Sequence, residues 1–426
     1  MAPLRGIPST ATVSIGIPVR YVAPAKGAER SAWLCPSLLS LAFVLSFLQY
    51  FWPIESKTIQ LVPISVLLAS GYVGFVDCCR KGRLGTSLVA LGPILGAAAL
   101  TTIVSGFAAN QEALLYGTLM LLVLPAVRFI LGTIRFKGLL ESYHRASMVS
   151  LALAVGAGLE MIVAAAHGGR LQLLSFHPNL IAFTLVSFVV VQVWGWRAGG
   201  RLRWLSLLCA CASAALLVLT NSRGSLAALL AAGVICVSLL APRAIRGRRL
   251  VTCGRILLCC VVGLVLTASV PLVHDKVGYW YYSASESLEL NSPGRGLHSG
   301  LSGRFGEWTR TIDLLGDGSW MEGHGFRTSG DEVGTIDNGY LVLLYECGIL
   351  TAAIVLARYA LALWYSWRNA IRTAQESRAL LLLALCCILF AFLINNILDR
   401  YLFGCGNPFS LLGIFFVVSH RADYGF

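Results

Sequence analysis

Apolar runs long enough to cross a bilayer recur from residue 33 to residue 418. A helix crossing the hydrocarbon core needs roughly 17 to 25 apolar residues. Twelve spans meet that length, at approximately 33–52, 59–76, 86–104, 113–131, 146–166, 180–196, 204–220, 225–241, 251–272, 339–365, 379–396 and 401–418. Hydrophobic residues make up 57% of the chain against 12% charged, and a mean hydropathy of +0.75 lies far outside the soluble globular range. The chain therefore reads as an all-α polytopic membrane protein of about twelve transmembrane helices. Its thirteen cysteines sit mostly inside the apolar runs, as in Cys78-Cys79, Cys259-Cys260 and Cys386-Cys387, so they read as small membrane-helix residues rather than a disulfide framework.

The net charge of +13 raises the question of a nucleic-acid partner, which its distribution answers. With the N-terminus inside, the cytoplasmic segments collect Arg80, Lys81 and Arg83; Arg135, Lys137 and Arg145; Arg197, Arg201 and Arg203; Arg243, Arg246, Arg248 and Arg249; and Arg368, Arg372 and Arg378. The short loops of the opposite side hold only Lys57, Arg170, Arg223 and Arg400. This asymmetry orients the chain with both termini cytoplasmic, and the charge needs no nucleic acid to explain it. Residues 1–32 then form a basic cytoplasmic tail, 33–272 the first nine spans, 273–338 a large outward loop, 339–418 the last three spans and 419–426 a cytoplasmic end. The outward loop is acidic on balance and long enough to be functional. Within it, Ser302 precedes Phe305, Trp308, Ile312 and Leu315 at helical spacing, with Gly316 as the stop, which predicts a short helix on the membrane surface or against the bundle.

No Walker loop, dinucleotide glycine fingerprint, CxxC pair or HExxH occurs, so any chemistry must come from polar residues at the outer helix ends. TNSRGS, residues 220–225, places Arg223 in a tight outer turn beside Asn221, Ser222 and Gly224. The turn suits capture of an anion such as a lipid-linked phosphate, whose oxygens a guanidinium matches in pairs. An Arg that snorkels to headgroups, with Ser225 capping the next span, is the plainer alternative. SFHPNLIAF, residues 175–183, opens a span with Pro178 in its first turn; His177 and Asn179 either cap it or line an anion site together with Arg170. Arg304 begins the loop helix, where a cation gains nothing from the macrodipole; that mismatch favours a ligand role over a surface Arg paired with Glu307. Asp337-Asn338 opens the tenth span, where Asp337 is either a site residue or a simple helix cap. Glu346 lies about 13 Å further along at 1.5 Å per residue, and reads as a hydrogen-bonding partner within the bundle.

An outward SRG turn, an outer loop with a GR…W helix and a Gly323-His324-Gly325 turn, and a DN-x-YL…E-x-G-I helix start follow one another in that order. The series resembles the O-antigen ligase and polysaccharide polymerase superfamily of bacterial inner membranes, with motifs over about residues 170–365. The resemblance implies glycosyl transfer on the periplasmic face without metal or cofactor. The implied donor is an undecaprenyl diphosphate-linked saccharide and the acceptor another saccharide or lipid A core. Membrane lipids surround the protein, and other polysaccharide export and chain-length proteins are its implied partners. On this resemblance Arg223 and Arg304 hold the departing diphosphate and Asp337 is the base on the acceptor hydroxyl, with Arg170, His177, Asn179, Ser222 and Asn338 as candidate substrate contacts. Ligases typically carry His where this chain has Asp337, and an Asp-Asn pair is familiar among polymerases. The sequence reading therefore places polymerase first and ligase second. A lipid-linked saccharide transporter is the alternative of another class, but transporters usually place their charges near the midplane, and here they cluster at the outer ends.

Overall fold

The computed structural model describes residues 26–49, 57–107, 111–166, 171, 178–220, 222–245, 304–316, 320–329, 336–404 and 407–424. Every regular element among them is helical. They are α1 (Lys26–Leu48), α2 (Lys57–Arg80), α3 (Leu84–Phe107), α4 (Gln111–Ala157), α5 (Leu159–Ala166), α6 (Pro178–Ala198), α7 (Arg203–Leu219), α8 (Arg223–Ile245), α9 (Arg304–Leu315), α10 (Gly339–Arg372), α11 (Glu376–Asn395), α12 (Pro408–Val417) and a final 3-10 turn, Arg421–Tyr424. The all-α expectation holds. Among the described residues, six helices, α2, α3, α4, α6, α10 and α11, are long and apolar enough to cross a membrane. The ninth expected span, 251–272, lies outside the described residues, as does most of the outward loop.

Three boundaries differ from the sequence reading. Helix α1 starts at Lys26, inside the expected tail. The loop expected between residues 131 and 146 is instead helical on both sides of a break at Arg135, where φ is 54° and ψ −179°; α4 is two helices joined end to end. The twelfth span, expected from residue 401, begins only at Pro408, because Asn407 caps it through Oδ1 to the Ser410 N–H at 2.8 Å with Pro in the first helical position. Residues 396–404 form instead a packed, non-helical segment.

The core is continuous across the bundle, with Phe43, Tyr143, Phe183, Phe188, Phe392 and Phe409 among its fully buried rings. Polar side chains inside it are tied locally or across helices, as where Tyr143 and Ser187 hydroxyls meet at 2.6 Å and Gln192 Nε2 donates to Ser147 Oγ at 2.6 Å. Residues 320–329 are threaded into this bundle. Helix α10 breaks at Gly348, whose φ of 72° is open to glycine without penalty. A Cβ there would lie 2.6 Å from the Glu322 carbonyl carbon and 2.8 Å from the Gly323 nitrogen. The loop backbone fills the break: His324 N donates to Tyr345 O at 2.9 Å, Gly325 N to Glu346 O at 2.8 Å, and Ile349 N to Trp320 O at 2.9 Å. Groups that a broken helix would leave unsatisfied are thereby paired. Glu346 takes the role expected of it, accepting a hydrogen bond from Ser329 Oγ at 2.7 Å and fastening the same loop.

Candidate functional site

Helix α9 forms where the sequence predicts and ends at Leu315, with Gly316 N donating back to Ile312 O at 3.1 Å. It lies against α10: Leu315 is buried with Ile336 and Tyr345, while Ile312 faces out. This packing brings Arg304, the first residue of α9, to the start of α10. Arg304 Nη2 donates to Asp337 Oδ2 at 3.1 Å, and Nε reaches the same oxygen at 3.3 Å. The pair is half-buried, with 17% of the Arg304 side chain and 34% of the Asp337 side chain exposed.

Asp337 is not the helix cap. Asn338 caps α10, its Oδ1 accepting from the Tyr340 N–H at 3.0 Å and the Leu341 N–H at 3.1 Å. Capping, which the sequence left open to Asp337, falls to its neighbour. Asn338 is itself buried, with its Oδ1 taken by these two bonds. Arg304 is not free on the surface either, since its ion-pair partner is Asp337 rather than Glu307. Among the described residues, Arg304 Nη1 and Asp337 Oδ1 carry no hydrogen bond. Among the described residues these atoms are open to a ligand.

The segment after α11 closes the site from the other side. Gly339 N donates to Asn396 O at 2.8 Å, and the Asn396 side chain holds the segment's shape by accepting from Tyr401 N at 2.9 Å. Asp399, on this segment, is 5% exposed. Burial pushes its carboxyl well above the ordinary value of 3.8; Arg304 and Arg400 pull it down, and Asp337 pushes it further up. Glu307, one turn along α9 from Arg304, is raised by partial burial and by the Asp337 charge, against the pull of Arg304.

The same segment receives the SRGS turn. Gly224 packs on Leu398, where a Cβ would come within 2.9 Å of Leu398 Cδ1. Ser222 Oγ donates to Ser225 Oγ at 3.2 Å, and Ser225 Oγ to Asn395 Oδ1 at 3.2 Å. Ser225 is therefore a tie to α11, not the cap of α8. Arg223 is the first residue of α8 and is partly buried, one residue from the Gly224–Leu398 contact. Arg170 and His177 lie outside the described residues, but Leu171 between them donates its N–H to Leu219 O at 2.8 Å, just ahead of this turn. Asn179 sits in the first turn of α6 after Pro178, which does open that helix.

Asp399 and the NNILDRY segment, residues 395–401, went unread in the sequence. The available signal was two amides, an acid and an Arg between two apolar runs, where polar groups are costly and need a reason.

These features define a multi-pass helical membrane protein with an arginine–carboxylate pair where α9, the start of α10 and the segment after α11 meet. Residues 205–356 match the family model Wzy_C, O-antigen ligase, and over this stretch the chain is similar to that family. The stretch runs from α7 into α10 and contains Arg223, Arg304, Asp337 and Glu346. No curated protein matches the chain.

Proposed function

We propose that the protein is a membrane glycosyltransferase of the polymerase type, joining undecaprenyl diphosphate-linked oligosaccharide repeat units at the periplasmic face of the bacterial inner membrane in exopolysaccharide or O-antigen synthesis. The observation that carries the reading is the contact between Arg304 and Asp337, which unites a phosphate-binding fork and a proton acceptor at one helix mouth. In the reaction an acceptor hydroxyl oxygen attacks the anomeric carbon of the lipid-linked sugar. The bond from that carbon to the diphosphate breaks, the diphosphate leaves with the electron pair, and the hydroxyl proton passes to Asp337. Arg304 and Arg223 neutralise the charge growing on the leaving group. Arg170, His177, Asn179 and Ser222 border the donor, and chain-length and export proteins handle the product.

The diphosphate and Asp337 compete for one guanidinium. When the donor takes Arg304, Asp337 Oδ2 is released and both carboxylate oxygens can face the acceptor hydroxyl.

The description of the matched family favours a second reading, an O-antigen ligase that transfers the finished glycan to lipid A core. Reconstitution of the purified protein with lipid-linked repeat units, with and without lipid A core, separates the two. Ladders of increasing length without core support polymerase, and a single transfer that requires core supports ligase. No glycan product under either condition contradicts both.

A further inference from the structure

The end of the bundle opposite Asp337 contains a cavity of about 1060 Å³ that the proposed reaction does not use. Helix α11 connects the two ends. Its last residue, Asn395, meets Ser225 near the site, and its first, Glu376, lines the cavity. Its length corresponds to about 30 Å at 1.5 Å per residue, the thickness of a bilayer core. The cavity thus lies at the headgroup level of the far leaflet, a placement that rests on the membrane-spanning reading alone and not on the proposed chemistry.

Its walls come from the start of α1, the stretch of α4 after the Arg135 break, the end of α6 and the start of α11. His144 fastens α4 to the wall, with Nε2 2.9 Å from Ser206 Oγ and its ring edge-on to Trp194. Lys137, Arg145 and Arg197 line the space together with Glu141 and Glu376. None of the three cations has a carboxylate within 4.0 Å among the described residues. Arg145 Nε donates to the Glu141 backbone carbonyl at 3.2 Å, and Arg197 lies over the Trp196 ring at 5.7 Å. Three cations against two carboxylates leave one net positive charge, which a single phosphodiester neutralises. Trp33 and Trp194 add the aromatic rings typical of an interface, and Leu380 and Leu381 continue the wall as apolar surface.

We propose that this cavity seats an anionic glycerophospholipid, with its phosphate among Lys137, Arg145 and Arg197 and its acyl chains along α1 and α11. The chain's own N-terminal sequence is a poor occupant, since Arg5 and Arg20 carry the wrong sign of charge. A bound lipid there would join four helices at the level of the α4 break.

The test measures lipid binding to the full-length protein, purified in mild detergent, by native mass spectrometry and by thermal shift. Phosphatidylglycerol, phosphatidylcholine and inorganic phosphate are compared at equal phosphate concentration. Phosphatidylglycerol is expected to bind at least tenfold more tightly than phosphatidylcholine. Lys137→Gln/Arg145→Gln/Arg197→Gln is expected to lose about 10²-fold of that affinity, from roughly 1 kcal/mol per basic residue near the anionic surface. The pair Arg145→Gln/Arg197→Gln, at two exposed positions, gives a smaller loss in the same direction and serves if the triple variant does not fold. Equal affinity for both lipids, or variants that bind like the parent protein, overturns the proposal. A shift by inorganic phosphate equal to that by phosphatidylglycerol replaces the lipid with a soluble anion and also overturns it. None of these readouts depends on glycan transfer, so they stand whether the chain polymerises, ligates or does neither.

Discussion

Arg304 gives two donors to one oxygen of Asp337, and this asymmetric pairing decides how each residue should respond to substitution. Arg304→Ala removes the fork and leaves Asp337 unopposed at the diphosphate position; glycan output should fall by about 10² to 10³, the usual loss on removing one transition-state donor. Arg304→Lys keeps the charge but not the paired geometry and should retain a small part of that activity. Normal glycan length in the Ala variant at unchanged protein level would remove Arg304 from the site. Asp399 makes a separate prediction. Its buried carboxyl holds its proton above the ordinary carboxylate range, so the folded state binds more protons than the unfolded chain once pH passes about 4. Stability contributed by the neutral form is complete below the unfolded value and is lost as pH rises toward the raised folded one. Asp399→Asn should flatten that dependence: between pH 5 and pH 8 the parent protein loses more unfolding temperature than the variant. Equal losses in the two would show that Asp399 is not the group responsible. Asp337 and Arg304 were legible as candidate site residues because charges at the mouths of apolar runs stand out against the pattern. Asp399 was not, because its meaning depends on a neighbour 62 positions earlier in the chain, which no local spacing encodes.

At the scale of elements, the site is held by helix starts rather than by helix interiors. Asn338 caps α10 and thereby sets the direction in which Asp337 leaves the helix. Asn338→Ala should cost about 1 kcal/mol of stability and lower activity by misplacing Asp337, whereas Asn338→Ser should restore most of both. An Ala variant as stable and active as the parent would mean that the cap does not position the base. The break of α10 at Gly348 shows what periodicity can and cannot reveal. The sequence ECGIL reads as an uninterrupted apolar helix, and the glycine carries no sign that loop backbone from Trp320 to Gly325 enters there. Likewise the 396–404 segment reads as the start of a span because Tyr401, Leu402 and Phe403 are apolar. It folds otherwise because the Asn396 side chain captures the Tyr401 N–H and Asn407 starts the next helix later. Helix α9 was readable because Gly316 ends it and its apolar residues keep a helical period.

At the scale of the molecule, the charged pair at the start of α10 is matched by a second polar closure at the other end. The final turn places Asp423 against Arg128 of α4, both buried, and the Asp423 carboxylate also accepts from His420 N at 2.6 Å. Arg358 of α10 donates to Val417 O at 2.7 Å and Ser419 O at 2.6 Å, so the chain end is tied to two long helices. Asp423→Asn strands a buried guanidinium and should cost about 3–5 kcal/mol, read as a large fall in unfolding temperature, with the loss at the outer site only secondary. An unchanged unfolding temperature would show that the pair contributes no net stability. The hydropathy of the whole chain made the helical membrane class readable without any motif. The proposed function rests on the order of weak motifs, of which SRGS, the α9 start and Asp337-Asn338 lie around a single segment, residues 395–402.

The central claim is that Asp337 accepts the acceptor's proton at a site where Arg304 holds the donor diphosphate. Asp337→Asn preserves size and polarity while removing that capacity. In proteoliposomes supplied with lipid-linked oligosaccharide, the variant should bind donor as the parent does and form glycosidic product at least 10²-fold more slowly, within the range contributed by a general base. A variant that turns over at the parental rate would contradict the account.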